Sequence, residues 1–153
     1  MRLTLRPIDR TNYNDCIRLK VGEDQEGYVA SNEYSLVQAA YEPQLYPLGI
    51  YDENKMVGFI LYDFDQELNG WSMSRFMIDV SLQGHGYGKE AIKEFICYFK
   101  EKHPAVKQIY TSAEVDNRIA ISLYEKVGFV KEDVFTYEVY GKTYKEIRMR
   151  LAL

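Results

Sequence analysis

Apolar and polar positions along the chain predict short strands and amphipathic helices in turn. Leu3 to Arg6 begins as a strand that Pro7 stops, and Asp9 or Thr11 offers a side-chain oxygen to cap a helix running to about Val21. A second short helix is predicted over Glu33 to Tyr41, ahead of Pro43. Gly49 to Tyr51 and Met56 to Phe64 read as strands, with Asp52-Glu53-Asn54-Lys55 as the hairpin turn between them. Trp71 to Val80 is a further strand. Its second half alternates only in part, as a strand covered on both faces does. From Lys89 to about Lys102, Ala91, Ile92, Phe95, Ile96 and Phe99 recur at helical spacing and give one apolar face, which ends before Pro104. Ile109 to Ala113 is a strand. Asn117 to Val127 is a helix with Ile121, Tyr124 and Val127 three apart, closed by Gly128. Val134 to Tyr140 and Tyr144 to Leu151 form a last pair of strands joined through Gly141-Lys142. The expected class is α/β (α+β): a mixed central sheet of about seven strands with helices on both faces, in three layers.

The chain has 153 residues, the size of one domain spanning 1–153 and enough to bury a core without a disulfide or metal staple. No apolar run approaches the length of a membrane span, and Met1 to Arg10 lacks the apolar stretch of a secretory signal. The expectation is a cytoplasmic protein with no membrane partner. Basic residues number 19 against 23 acidic ones, a net charge of −4. That balance argues against a nucleic-acid partner, which needs a basic footprint. It leaves room for a local basic pocket and suits a cationic substrate. Cys16, Cys97, His85 and His103 have no metal-ligand spacing, so no metal site is expected.

The segment Gln83-Gly84-His85-Gly86-Tyr87-Gly88 lies between a predicted strand and a predicted helix. Alternating glycines let the backbone bend tightly and approach a ligand. The unpaired N–H groups and positive end of the following helix suit a phosphate or pyrophosphate, and Lys89 adds charge. A Walker loop requires Ser or Thr after Gly-Lys, and Glu90 stands there. The dinucleotide fingerprint G-x-G-x-x-G fails because the third glycine comes one residue early. His85 reads as a solvent-facing spacer rather than a base, since no partner for it is evident.

Gln83-x-x-Gly86-x-Gly88 resembles the Q/R-x-x-G-x-G/A motif of the GNAT N-acetyltransferase superfamily. Asn117-x-x-Ala120-Ile121-x-Leu123-Tyr124-x-x-x-Gly128-Phe129 resembles that family's second coenzyme A segment. Gln25-x-x-Tyr28-Val29, Gly58-Phe59 and Arg75-Phe76-Met77-Ile78-Asp79 are similar to its bacterial spermine/spermidine acetyltransferase-like group.

The resemblance implies acetyl-CoA as co-substrate. Gln83, Gly84, His85, Gly86, Tyr87, Gly88 and Lys89 would hold the pyrophosphate. The backbone of Met77 or Ile78 would polarise the thioester carbonyl. Val80 would bond the pantetheine arm, Asn117 would bond the coenzyme, and Tyr124 would act as general acid. The acceptor would lie against Glu23, Asp24, Glu26 and Tyr28, between the first two helices, and against Ser74. Related polyamine enzymes often carry an acid at that last position. Asp63, Asp65 and Glu67 form a second acidic cluster.

The implied activity is transfer of an acetyl group to a primary amine of a small molecule, a polyamine first (spermine or spermidine). Attack is expected to be direct, in a ternary complex, because no cysteine lies in either motif. The alternatives are a protein N-terminus, an amino-sugar or antibiotic amine, or a non-catalytic acyl-CoA-binding module. The tyrosine-rich C-terminal strands suit a homodimer as well as a monomer.

Overall fold

The computed structural model describes residues 1–25 and 30–153. Seven strands form one sheet in the order β1-β2-β3-β4-β5-β7-β6. They are β1 (Leu3–Pro7), β2 (Leu45–Asp52), β3 (Lys55–Asp65), β4 (Gly70–Ile78), β5 (Gln108–Glu114), β6 (Val130–Val139) and β7 (Lys142–Ala152). The helices are α1 (Tyr13–Arg18), α2 (Asn32–Tyr41), α3 (Tyr87–Lys102) and α4 (Arg118–Lys126). Every neighbouring pair of strands is antiparallel except β4 and β5, which are parallel and joined by the α3 crossover.

Two apolar clusters cover the two faces. Ile60, Phe95, Phe99, Ile109 and Met149 centre the one beneath α3 and α4. Cys16, Phe59, Leu61 and Met77 centre the one beneath α1 and α2. The helix, sheet, helix layering expected from the alternation is present.

Several boundaries moved for local reasons. The first helix stops at Arg18, not Val21, yet Leu19 and Val21 still pack into the α1–α2 cluster. Their apolar spacing reports burial without helix. Strand β2 begins at Leu45, four residues ahead of Gly49, and takes in Pro47, whose carbonyl accepts from the Ile8 N–H at 3.0 Å. Strand β4 ends at Ile78, where Asp79 accepts from the Ser81 N–H and starts a 3-10 turn over Val80–Leu82. Helix α3 starts at Tyr87, two residues before Lys89. Strand β6 begins at Val130, and its first residues are exposed and polar enough to hide a strand from pattern reading.

The feature that positions the site is a parting of β4 from β5. They pair only at Ser72↔Tyr110 and Met73↔Thr111. Directly beyond, the β3–β4 register slips: Tyr62 faces Met73 while Leu61 faces Arg75, so Ser74 is an extra residue on β4. Such a bulge bends and twists the strand that carries it, and here it coincides with the end of pairing to β5. The last joined point is bolted by the buried Thr111 hydroxyl, which donates to the Met73 carbonyl at 2.9 Å. A cleft opens at the carboxyl ends of the two parallel strands, where open α/β sheets characteristically take their ligands.

Candidate active site

The cleft encloses about 1760 Å³, more than the ~300–1,000 Å³ usual for one small ligand. That is room for two substrates. One end is built by the glycine loop. Gly84 and Gly86 have φ of +80° and +84°, left-handed values that cost an L-residue roughly 1–2 kcal/mol. A Cβ at either position would meet no atom within 4 Å. These glycines therefore serve the turn and leave open space for a ligand. Gly88 has a different role. A Cβ there would come within 3.2 Å of Leu123 Cδ2, so its absence lets α3 pack closely on α4.

Gly86 caps α3, and the Glu90 N–H is the first to bond back, to the Gly86 carbonyl at 3.3 Å. The N–H groups of Tyr87, Gly88 and Lys89 precede that bond and have no carbonyl of the helix to reach. They converge with Lys89 at the positive end of a 16-residue helix. That is the chemistry of an anion cradle, and the open Cβ positions fit the diphosphate of a coenzyme A.

Gln83 holds the loop to the strand end. Its amide donates to the Ile78 carbonyl at 2.9 Å and to Gln25 Oε1 at 2.8 Å. The Tyr87 hydroxyl donates to Asp52 Oδ2 at 2.6 Å, so its side chain braces the β2–β3 turn and only its backbone faces the cradle. Two expected loop contacts lie elsewhere. His85 is exposed and off the cleft wall. Val80 is also off the wall, 46% exposed, and its N–H already donates to the Lys20 carbonyl at 2.6 Å. That N–H is consequently not available to a pantetheine arm in this arrangement. Met77 and Ile78 do line the cleft, on the stretch of β4 that has left β5.

Asn117 caps α4, its Oδ1 accepting from the Ala120 N–H at 3.2 Å. Asn117 also lines the cleft, so the capping and ligand roles are compatible. About two turns later Tyr124 is 6% exposed and lines the cleft with its ring 5.8 Å from that of Phe129. Burial pushes its phenol up to about 12. The Glu146 carboxylate adds to that, and the Thr111 hydroxyl opposes it. A phenol so placed stays protonated and can donate to charge developing beside it.

The far end of the cleft has two walls. On one, Tyr34, Ser74 and Arg75 come together, with Asp65 and Glu67 at the rim. The Arg75 guanidinium donates to Ser35 Oγ at 3.1 Å and lies 5.6 Å over the Tyr34 ring. Asp63 sits half-buried behind Ser74. Burial raises its carboxyl, and the Ser74 hydroxyl turned toward it offsets part of that rise. On the other wall are Ser112, Glu114, Tyr137 and Glu146.

Of the acceptor residues expected from the sequence, Ser74 lines the cleft. Glu23 is exposed in a 3-10 turn and off its wall. Glu26 and Tyr28 lie outside the described residues, and Asp24 is described only in its backbone. Arg75, Ser112, Glu114 and Glu146 were not anticipated as site residues. For Ser112 a signal existed: it alternates with the buried Ile109, Thr111 and Ala113, so it must face the opposite side. For Glu146 none did, because its place depends on β7 pairing beside β5.

Sequence and fold are shared with known proteins. The profile of the Acetyltransferase (GNAT) family matches residues 12–129. The chain is 32% identical over 136 residues to a spermine/spermidine N(1)-acetyltransferase of Bacillus subtilis (strain 168), covering 84% of this chain and 88% of that one. Its fold is similar to the crystal structure of spermidine N-acetyltransferase from Vibrio cholerae in complex with CoA and spermine, at a TM-score of 0.74 and 20% identity over 98% of this chain and 95% of that one. It is also similar to the ribosomal-protein-S18-alanine N-acetyltransferase from Escherichia coli, at 0.73 and 16% over 99% and 94%. With the parted parallel strands, the glycine cradle and the buried tyrosine between them, these matches lead to one assignment: the chain belongs to the GNAT family of acetyltransferases.

Proposed function

We propose that this acetyltransferase moves the acetyl group of acetyl-CoA to a primary amine of a polyamine, spermine or spermidine, by direct attack in a ternary complex. The observation that carries the reading is the polarity of one continuous cleft. Lys89, Arg118 and Lys126 line it together with the N–H cradle, whereas Asp65, Glu67, Glu114 and Glu146, alongside Arg75 and Arg148, are among its other lining residues, so carboxylates outnumber cations there. An anionic co-substrate suits the first set and a polycation the second. The relative at 32% identity is named for spermine and spermidine, which supports the same acceptor class.

In this reading the residues divide the work. The N–H groups of Tyr87, Gly88 and Lys89, with Asn117, hold the coenzyme and aim its thioester through the gap. A β4 N–H at Met77 or Ile78 polarises the carbonyl. Tyr124 keeps its proton until charge develops on the sulfur. No helix among the described residues is long and apolar enough to cross a membrane. The cytoplasm is the compartment this reading assigns, and the exposed edge strand β6 is where a second copy would pair in a homodimer.

The test is an amine panel read by thiol release: spermine, spermidine, a peptide with a free N-terminus and an aminoglycoside. Turnover of the polyamines is expected. A peptide that reacts while polyamines stay silent would refute the acceptor class. Tight coenzyme A binding with no acetylation anywhere would favour a binding module instead.

A further inference from the structure

On the acceptor wall two carboxylates stand side by side. Glu114 of β5 is the register partner of Glu146 of β7, and like charges directly opposite are ordinarily unfavourable in a sheet. Glu146 is also unusually well held. One oxygen accepts from Ser112 Oγ at 2.7 Å and the other from the Tyr137 hydroxyl. Ser112 is the first β5 residue past the last pairing with β4 at Met73↔Thr111, so the carboxylate it orients sits at the mouth of the gap. Glu146 lines the same cleft as Tyr124, and its charge is felt by the Tyr124 phenol. Ser74, by contrast, cannot serve as a base unaided, and Asp63 reaches the cleft only behind it.

We propose that Glu146 takes the proton the acceptor amine gives up, with Ser112 and Tyr137 as its positioning residues. This rests on the acetyl-transfer reading above. The ammonium loses one proton to the Glu146 carboxylate. The freed nitrogen lone pair forms the N–C bond to the acetyl carbon. The C–S bond breaks with its electron pair on sulfur, which takes the Tyr124 proton. The remaining excess proton on nitrogen returns to the Tyr124 oxygen, and Glu146 releases its proton to water. Each turnover thus converts an ammonium and a thioester into an amide, a thiol and one proton. The groups facing Glu146 are Glu114 from β5, Tyr137 from β6 and Tyr124 from α4. Tyr144 and Arg148 flank it on β7, Arg148 being paired to Asp133 at 2.7 Å.

The experiment compares pH profiles of kcat/KM for spermine in the wild type, Glu146→Gln, Glu146→Asp, Ser112→Ala and Asp63→Asn. Coenzyme A affinity and melting temperature are measured for each as checks on folding. Loss of a general base typically costs about 10²–10⁴-fold. Glu146→Gln should lose at least about 10²-fold near pH 7. The gap should narrow as pH rises toward the amine's own pKa, where solution supplies neutral amine. Glu146→Asp should recover part of the rate, and Ser112→Ala should show a smaller loss of the same pH shape. A profile for Glu146→Gln parallel to wild type overturns the proposal, as does the pH-dependent loss appearing in Asp63→Asn instead. Should Glu146→Gln fail to fold, Ser112→Ala and Glu146→Asp with unaltered profiles overturn it equally. A wild type that binds coenzyme A but acetylates no amine refutes the acetyl-transfer reading, and this proposal with it.

Discussion

Replacing Tyr124 by phenylalanine removes one buried hydroxyl and leaves the ring against Phe129, so it perturbs the chemistry more than the packing. The phenol is pushed from the ordinary 10.0 up to about 12, first by burial and then by the Glu146 carboxylate. A thiol titrates near ~8.5 in water. Proton transfer from Tyr124 to a free thiolate would therefore run uphill by roughly 3.5 pKa units, about 5 kcal/mol at ~1.36 kcal/mol per unit. Simple donation to a finished thiolate is therefore disfavoured. The proposed role requires Tyr124 to donate as the C–S bond breaks, while the nitrogen proton becomes acidic enough to restore its own.

That constraint sets the expected size of the effect. A thiolate is a tolerable leaving group unaided, so the variant should keep some rate. A loss of about 10²-fold in kcat, the low end for general acid catalysis, is expected, with coenzyme A affinity unchanged by calorimetry. The assay is thiol release from saturating acetyl-CoA and spermine between pH 6.5 and 10. No basic limb from Tyr124 should appear in the wild type over that range. The same shift has a stability consequence. A folded pKa raised above its unfolded value gives stabilisation that is complete below pH 10 and lost as pH rises through about 12. Two units correspond to roughly 2–3 kcal/mol. Tyr124→Phe should therefore lose less stability than wild type between pH 10 and 12 in urea titrations. Unchanged kcat at every pH would remove the phenol from the mechanism.

Other perturbations test the frame around it. Gly86→Ala puts a side chain at φ +84°, a strain of roughly 1–2 kcal/mol. Relief by loop movement misaims the three N–H groups, so coenzyme A should bind at least about tenfold more weakly (~1.4 kcal/mol); an unchanged affinity in calorimetry would dismiss the cradle. Thr111→Val leaves the buried Met73 carbonyl without its donor, at a cost of about 1–3 kcal/mol. The melting temperature should fall by about 2–4 °C per kcal/mol, and KM for acetyl-CoA should rise because the branch point is no longer bolted. A normal melting temperature would mean that the bolt contributes nothing.

The half of the molecule proposed to take the coenzyme was readable along the chain because its determinants are local. A strand, a glycine turn and a helix N-terminus occupy consecutive residues 70–102. The positive φ values that Gly84 and Gly86 adopt are ones only glycine takes freely. Asn117 and Tyr124 lie seven residues apart on one helix and its cap. Where the reading slipped, a local signal was overruled by pairing. Pro47 sits inside β2 because its neighbours pair on both sides. Val80, taken as part of β4, turns into a 3-10 helix because Asp79 caps it.

The acceptor half was not legible in the same way. Its wall joins Ser74 and Arg75 of β4 to Ser112 of β5 and Glu146 of β7, elements separated by up to some seventy residues. Their meeting depends on β7 inserting between β5 and β6, a strand order no periodicity encodes. Reading the chain alone places a serine where an acid belongs and leaves the proton without a destination. In the mechanism proposed above, the sheet resolves the difficulty by distance rather than by substitution. Once β5 has left β4 at Thr111, the next outward-facing position, Ser112, is small and hydroxylated. A carboxylate at position 112 itself would sit in the gap. A serine there instead reaches across to a carboxylate on the next strand and turns it toward the opening at 2.7 Å. In the proposed mechanism the Glu146 carboxylate, whose charge raises the Tyr124 phenol, serves the entering amine, and the phenol serves the departing sulfur.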